Sequence, residues 1–420
     1  MRRTLAACYA VTTLMAGAFA ALPARADITF HGFGQVAVGS TLGNDRYVSG
    51  TEYSGDPSFT PETLLALQVQ AQLSDKILAT AQILSTGAED QHFTPTFEWA
   101  YISYWLGDHW LFKAGRQRLP LYHYSESLEI GESYTWIRPP LSVYQFSIDN
   151  FDGVSASGDY DVGKWSLQPE FYYGTVSNHY VSSGNTYDFN AKRGFGTALT
   201  VDYQRLLQLR GTLNYGTASF VSDTVQPDLD AVLSNSVVGN PPVPADNSAI
   251  INAYGPQDHS LYFYGASLDF HPGHWHVISE YTGVHYPGPL VQKQRGYYAA
   301  VSYTAGRLTP ILTYGHYDQS TGDPSIIGQL VPNSQCPTGV NPSTLQPVYE
   351  SCATLLTAEL LNTPRELIDY YEAGARYDVT EHAALKLDWT RSTLQQAPGY
   401  GPPTLPRASN VVSAALVFDF

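Results

Sequence analysis

Residues 65–85 read LALQVQAQLSDKILATAQILS, and their alternation decides what kind of chain this is. Leu65, Leu67, Val69, Ala71 and Leu73 fall on one side of an extended backbone, while Gln68, Gln70 and Gln72 fall on the other. After the turn Ser74-Asp75-Lys76 the pattern resumes, with Ile77, Ala79, Ala81 and Ile83 opposed to Thr80 and Gln82. Side chains of a strand alternate between its two faces, so this stretch predicts an antiparallel hairpin with one apolar and one polar face. Lipid on one side and water on the other would select that pattern.

The pattern repeats outward in both directions. Upstream, 28–40 sets Ile28, Phe30, Val36 and Val38 against Thr29, His31 and Gln35. Downstream, strands are predicted at about 95–106, 110–117, 147–158, 163–176, 194–204, 207–220, 258–271, 274–286, 294–305, 308–319, 366–380, 383–396 and 408–420. With the opening three, the total is about 16 strands. Their connections alternate. Gly107-Asp108-His109, Asp161-Val162, Pro272-Gly273, Gly306-Arg307 and Glu381-His382 are tight, whereas 41–60, 118–146, 177–193, 221–257 and 320–365 are long. An even strand count with short turns at one end and long loops at the other predicts an all-β fold, an antiparallel transmembrane β-barrel. Closure removes the sheet edges that lipid could not hydrogen-bond.

Composition agrees. Charged residues make up 14% of the chain, against roughly 25% in ordinary soluble domains. Tyrosine numbers 31 and glycine 35, and no run of ~18 apolar residues follows the N-terminal segment. A secreted β-sandwich is the soluble rival. Arg2 and Arg3, the apolar run that follows them, and Ala24-Arg25-Ala26 read as a signal peptide over 1–26, leaving 27–420 as one barrel domain in the outer membrane of a Gram-negative envelope. Removing Arg2, Arg3 and Arg25 leaves 19 basic residues against 38 acidic. That acidic excess argues against nucleic acid as a partner.

One long segment in the first half cannot be a strand. Gly115 to Gln145, GRQRLPLYHYSESLEIGESYTWIRPPLSVYQ, has three prolines and no period-2 alternation. It mixes Arg116, Arg118 and Arg138 with Glu126, Glu129 and Glu132 among many aromatics. A loop of this size either projects into solvent or folds into the lumen and narrows it, and the lumen is expected. The last strand, ASNVVSAALVFDF, alternates Val412, Ala414, Leu416, Phe418 and Phe420 with Val411, Ser413, Ala415, Val417 and Asp419. A closing phenylalanine at Phe420, with Phe418 on the same face, resembles the assembly signal of outer-membrane barrels.

Through strand count, turn and loop alternation, Phe420 and the long third outer loop, residues 27–420 resemble the Gram-negative porin family. The resemblance implies a water-filled channel passing small hydrophilic solutes and ions passively. It also implies a third loop folded inward with acidic residues facing basic ones on the wall. The partners it implies are outer-membrane lipid and lipopolysaccharide, the barrel-assembly machinery and a homotrimer, although the second outer loop, 88–94, is short for a subunit latch.

A lumen of ~16 strands is too wide to discriminate small solutes, so selectivity needs a narrowing with chosen charges. Glu126, Glu129 and Glu132 would supply its negative side. Lys113, Arg210, Arg376 and Lys386 lie on polar faces of their strands and could supply the positive side. Arg116 and Arg118 share the parity of Phe112 and Ala114, so either the alternation breaks near Gly115 or both face the outer rim. Many carboxylates, including those of 221–230 and 323–366, lie in outer loops, so the acidic total does not set ion choice. A weak cation preference is expected. Tyr122, Tyr124, Tyr134, Trp136, Tyr144 and Phe146 either line a substrate-selective pore for sugars or aromatic solutes, or pack the loop against the wall.

Cys336 and Cys352, both in 320–365, most simply form a disulfide in an oxidising compartment, worth about 3 kcal/mol by loop entropy. GDYDVGKW at 158–165 nearly spells a phosphate loop, but Trp165 stands where Ser or Thr must bind magnesium. GFGQVA from Gly32 lies in a strand, which weakens a dinucleotide reading. His271, His274 and His276 flank a tight turn and are expected to form a satisfied cluster rather than a metal site. No cofactor is expected, and no nucleophile elbow is present. A barrel enzyme and a surface-interaction protein remain the rival functions.

Overall fold

The computed structural model describes residues 27–42, 53–88, 92–144, 149–182, 185–222, 225–254, 258–286, 293–320, 328–340, 347–355, 365–397 and 407–420. The expected signal peptide and Phe146 lie outside them. The sheet opens with β1 (Asp27–Thr41), β2 (Leu64–Ser74), β3 (Ile77–Thr86), β4 (Thr96–Leu106) and β5 (Trp110–Arg118). It continues with β6 (Asn150–Gly158), prolonged by the short β7 (Tyr160–Val162), then β8 (Trp165–Ser182), β9 (Asn185–Tyr203) and β10 (Leu207–Ser222). Strands β11 (Val237–Val238) and β12 (Val243–Pro244) belong to a separate loop sheet, and the wall resumes with β13 (His259–Phe270), β14 (Trp275–His285), β15 (Lys293–Tyr303) and β16 (Leu308–Gln319). After β17 (Gln335–Val340) and β18 (Pro347–Ser351) of the loop sheet, β19 (Arg365–Asp378), β20 (Ala383–Ala397) and β21 (Arg407–Asp419) complete the wall.

Every wall strand pairs antiparallel with its neighbour, and β1 pairs with both β2 and β21, Val38 lying opposite Ala414. Counting β6 and β7 as one, the barrel has sixteen strands and no open edge. Gly32 and Phe420 exchange both backbone hydrogen bonds at the seam, 2.8 and 2.9 Å.

The two faces separate by parity as the sequence requires. On β20, Ala384, Lys386 and Asp388 are buried on the inner face, while Leu385 and Leu387 are 50% and 56% exposed on the outer one. Leu213 and Leu312 are likewise open, at 64% and 62%. A water-soluble surface would not carry a continuous apolar band of this kind, and a lipid-facing one must. Trp105, Trp165, Trp275, Tyr303 and Tyr377, all exposed, flank the tight turns as an aromatic girdle. No helix among the described residues is long and apolar enough to cross a membrane.

Tight turns at Gly107, Gly163, Gly273 and Gly306 place glycine at φ between 64° and 69°, the left-handed region where a Cβ is penalised. The turn expected at Asp161-Val162 is corrected to Gly163-Lys164, because Tyr160–Val162 pairs with Trp165–Leu167. The long loop expected over 177–193 is also corrected. β8 and β9 stay paired as far as Ser182 opposite Asn185, with one irregularity near Gly174. That hairpin extends beyond the apolar band, so nothing required its sequence to alternate in hydropathy.

The loops 221–257 and 320–365 fold together. Val237 of the first pairs with Gln335 of the second, and helices Val225–Ser234 and Ser248–Tyr254 contribute Leu233 and Ile250 to a small core with Leu330, Cys336 and Cys352. The two cysteines form the expected disulfide, Cα–Cα 4.9 Å. Asn247, buried between the loops, donates to Ser236 Oγ at 2.8 Å and accepts from the Val331 backbone N–H at 2.8 Å.

Candidate functional site

The segment between β5 and β6 bonds to inner-face side chains around much of the barrel. Its two short 3-10 turns, Ser125–Ser127 and Gly131–Ser133, present backbone carbonyls that no regular ladder satisfies, and wall cations supply the donors. Lys386 donates to the carbonyls of Gly131 (2.5 Å), Tyr134 (2.8 Å) and Trp136, with its ammonium 4.6 Å from the Tyr134 ring centroid. Arg376 donates to the Glu132 carbonyl at 2.6 Å and pairs with the Glu132 carboxylate and with Asp378. Arg210 reaches the Pro120 carbonyl at 3.4 Å and pairs with Glu170 at 3.0 Å.

Wall carboxylates accept from the segment in turn. Ile137 N–H donates to Asp388 at 2.6 Å. His123 N–H and Tyr144 O–H donate to the two oxygens of Glu280, at 2.8 and 2.7 Å. Trp136 Nε1–H reaches Thr313 at 2.8 Å. The wall is also cut away to fit. A Cβ on Gly296 would collide with the Ser142 carbonyl, and one on Gly315 with the Ser142 hydroxyl.

The aromatics resolve toward packing. Tyr122, Tyr124, Tyr134 and Trp136 are buried against Phe263, Ile278 and Tyr298, with Trp136 edge-on to Tyr298 at 5.8 Å. Burial drives the Tyr124, Tyr134 and Tyr144 hydroxyls well above their usual range, so all three stay neutral donors.

Each acidic residue singled out in the segment has a basic partner. Glu126 lies 3.4 Å from Lys113, Glu129 3.6 Å from Arg118, and Glu132 against Arg376. Arg138 pairs with Glu62 at 3.1 Å. Arg116 and Arg118 part company. Arg116 lies with Asp152 at 3.0 Å on the face of Phe112 and Val154, half-exposed, whereas Arg118 is buried among Glu98, Glu129 and Asp149. A bulge in β4 between Phe97 and Trp99 sets Glu98 off the regular alternation. Burial raises the Glu129 carboxyl to about 7 against the pull of Arg118.

The aromatic cluster packs against the wall from β13 to β16. Toward β4–β8 a cavity of about 130 Å³ remains, bounded by Trp99, Tyr101, Lys113, Glu126, Glu170 and Tyr172. Glu126 is its most accessible charge, at 72% exposure against 21% for Lys113. Glu62, Glu98, Asp149, Glu170, Glu280 and Asp388 were missed by sequence reasoning. Glu280 and Asp388 carried a usable signal, since each is a carboxylate at an inward position of a strand long enough to span a bilayer.

No family model and no curated protein matches this chain. Solved structures do. The outer membrane channel DcaP of Acinetobacter baumannii aligns with TM-score 0.54 and 13% identity over 94% of this chain and 98% of its own. An OmpF from Salmonella typhi in complex with daunomycin gives 0.53 and 9% over 94% and 98%. An anion-selective porin from Comamonas acidovorans gives 0.51 and 13% over 94% and 100%. The chain has the fold of these sixteen-stranded outer-membrane barrels.

Proposed function

We propose that this barrel is an outer-membrane porin whose segment 119–144 lies across the lumen and leaves a narrowed passage beside β4–β8 for small hydrophilic solutes and ions. The observation that carries the reading is the cavity between Glu126 and the wall. Its lining mixes aromatic rings with charges of both signs, Lys113 and Arg118 against Glu126 and Glu170. Opposed charges across a narrow gap orient water and dipolar solutes. Because Glu126 is far more accessible than Lys113, the passage favours cations weakly. The buried segment aromatics leave the wall rings Trp99, Tyr101, Phe151, Phe171 and Tyr172 at the cavity. Passive diffusion therefore fits better than a sugar slide built on the segment.

The reading is tested on folded protein in liposomes, by swelling in uncharged sugars of increasing size, and by reversal potential in a salt gradient. Wild type should admit small sugars, exclude large ones and favour cations. The triple variant Glu126→Gln, Glu129→Gln, Glu132→Gln should shift both size limit and ion preference; unchanged values would remove the segment from the permeation path.

A further inference from the structure

We propose that Asp269, His271 and His276 form a binding site for a divalent transition-metal ion at the tight-turn end of the barrel, with His123 of the segment backing the Asp269 carboxylate from its other oxygen. Asp269 is the hub. Its Oδ1 lies 2.7 Å from His271 Nε2 and 2.8 Å from His276 Nε2, and its Oδ2 lies 3.3 Å from His123 Nε2. The two imidazoles of the turn are stacked nearly parallel, centroids 4.1 Å apart and planes 8° apart, so both Nε2 atoms address one carboxylate oxygen. One ligand atom from each of Asp269, His271 and His276 lies within 4.8 Å of the others.

The geometry is that of a ligand set before a metal enters. Zinc holds imidazole nitrogen and carboxylate oxygen at about 2.0–2.2 Å. A cation set beside Oδ1 would thus take the place of the shared protons after a small parting of the two rings. Nitrogen-rich sites with one carboxylate suit zinc and its neighbours rather than magnesium or calcium. The sequence supplies the arrangement cheaply. Asp269 is next to last in β13 and His276 second in β14 across the turn at Gly273, so two ligands come from paired strands and His271 from the turn itself. His274 is not part of it and packs on Tyr303 instead, at 5.9 Å.

Access and support are graded. His123 and Asp269 side chains are 9% and 12% exposed, His276 21% and His271 49%, so an ion reaches buried ligands past an open one. His123 Nε2 meets Asp269 Oδ2 at 3.3 Å, an outer contact of the kind that orients a metal-binding carboxylate. Among the described residues Asp269 has no Lys or Arg partner, so no fixed cation competes for it. The site would also tie the segment to the wall, because the His123 backbone is held by Glu280.

The test is metal binding by the folded, metal-stripped protein in detergent, read by zinc stoichiometry after dialysis and by the visible absorption of bound cobalt(II). One ion per chain with the spectrum of a four-coordinate nitrogen- and oxygen-ligated cobalt is expected. Asp269→Asn, His276→Gln and His271→Gln should each weaken zinc at least ~10-fold, with heat-modifiable gel mobility confirming that every variant is a folded barrel. Absence of stoichiometric binding, or undiminished affinity in any of the three variants, overturns the site as described. The readout does not depend on conductance, so its failure is separable from that of the channel proposal.

Discussion

The Ser142 carbonyl oxygen occupies the space that a Cβ on Gly296 would need. Segment and wall therefore touch backbone to backbone at this point, and a single methyl group suffices to push them apart without changing any charge. Gly296→Ala is expected to displace the segment at a cost of roughly 2 kcal/mol, typical of overpacking. Thermal unfolding should fall by a few degrees while unitary conductance changes and the barrel still folds.

Lys386 gives the complementary case. Its ammonium is buried and satisfies three carbonyls of the segment, so Lys386→Met removes this donor from all three, leaves Tyr134 only its 3.4 Å contact with Arg376, and takes away one of the cations near Asp388. Breaking a buried charge network of this kind costs about 3 kcal/mol or more. Noisier, larger single-channel currents are expected, with lower resistance of the segment to proteolysis.

Glu126→Gln should behave differently. The Glu126–Lys113 pair is largely exposed on the carboxylate side, and such pairs contribute little to stability. Unfolding should be unchanged, while reversal potential moves toward anions because Lys113 loses its paired carboxylate at the cavity.

Glu129 predicts a pH step. Burial raises its carboxyl from 4.5 to about 7, so the folded state holds this proton more tightly than the unfolded chain. The associated stability is fully present below pH 4.5 and is lost as pH rises through about 7. In the same window the segment gains a negative charge, so cation preference should strengthen between pH 6 and 8. Reversal potentials across that range check it, and Glu129→Gln should flatten the profile.

Reduction of Cys336–Cys352 should loosen the joined outer loops and leave the barrel intact. The bridge closes a loop with a sequence separation of 16, worth about 3 kcal/mol. Limited proteolysis should then cut within 320–365 faster, with conductance and heat-modifiable mobility unaltered.

The barrel was legible because lipid and water impose opposite demands on alternate residues, as in 65–85 and again in Leu385, Lys386, Leu387 and Asp388. The β8–β9 hairpin past Gly174 was not, since Val176, Phe189 and Ala191 turn one face into the buried cluster while its outer face lies beyond the apolar band, so lipid enforces no alternation in hydropathy. The site was half legible. Residue type and strand parity singled out Lys113, Arg210, Arg376 and Lys386, but not their partners. Parity alone could not separate Arg116 from Arg118, because the β4 bulge at Glu98 and the end of β5 decide where the second guanidinium goes. The folding of 221–257 with 320–365 rests on contacts far apart in sequence, such as Val237 with Gln335, which no local pattern announces.

Single-channel conductance of the refolded protein in a planar bilayer tests the central claim most directly. Discrete, long-lived open steps with a weak cation-selective reversal potential are predicted, and three equal steps per insertion would indicate a trimer. A barrel of native gel mobility that inserts and never conducts would contradict the account.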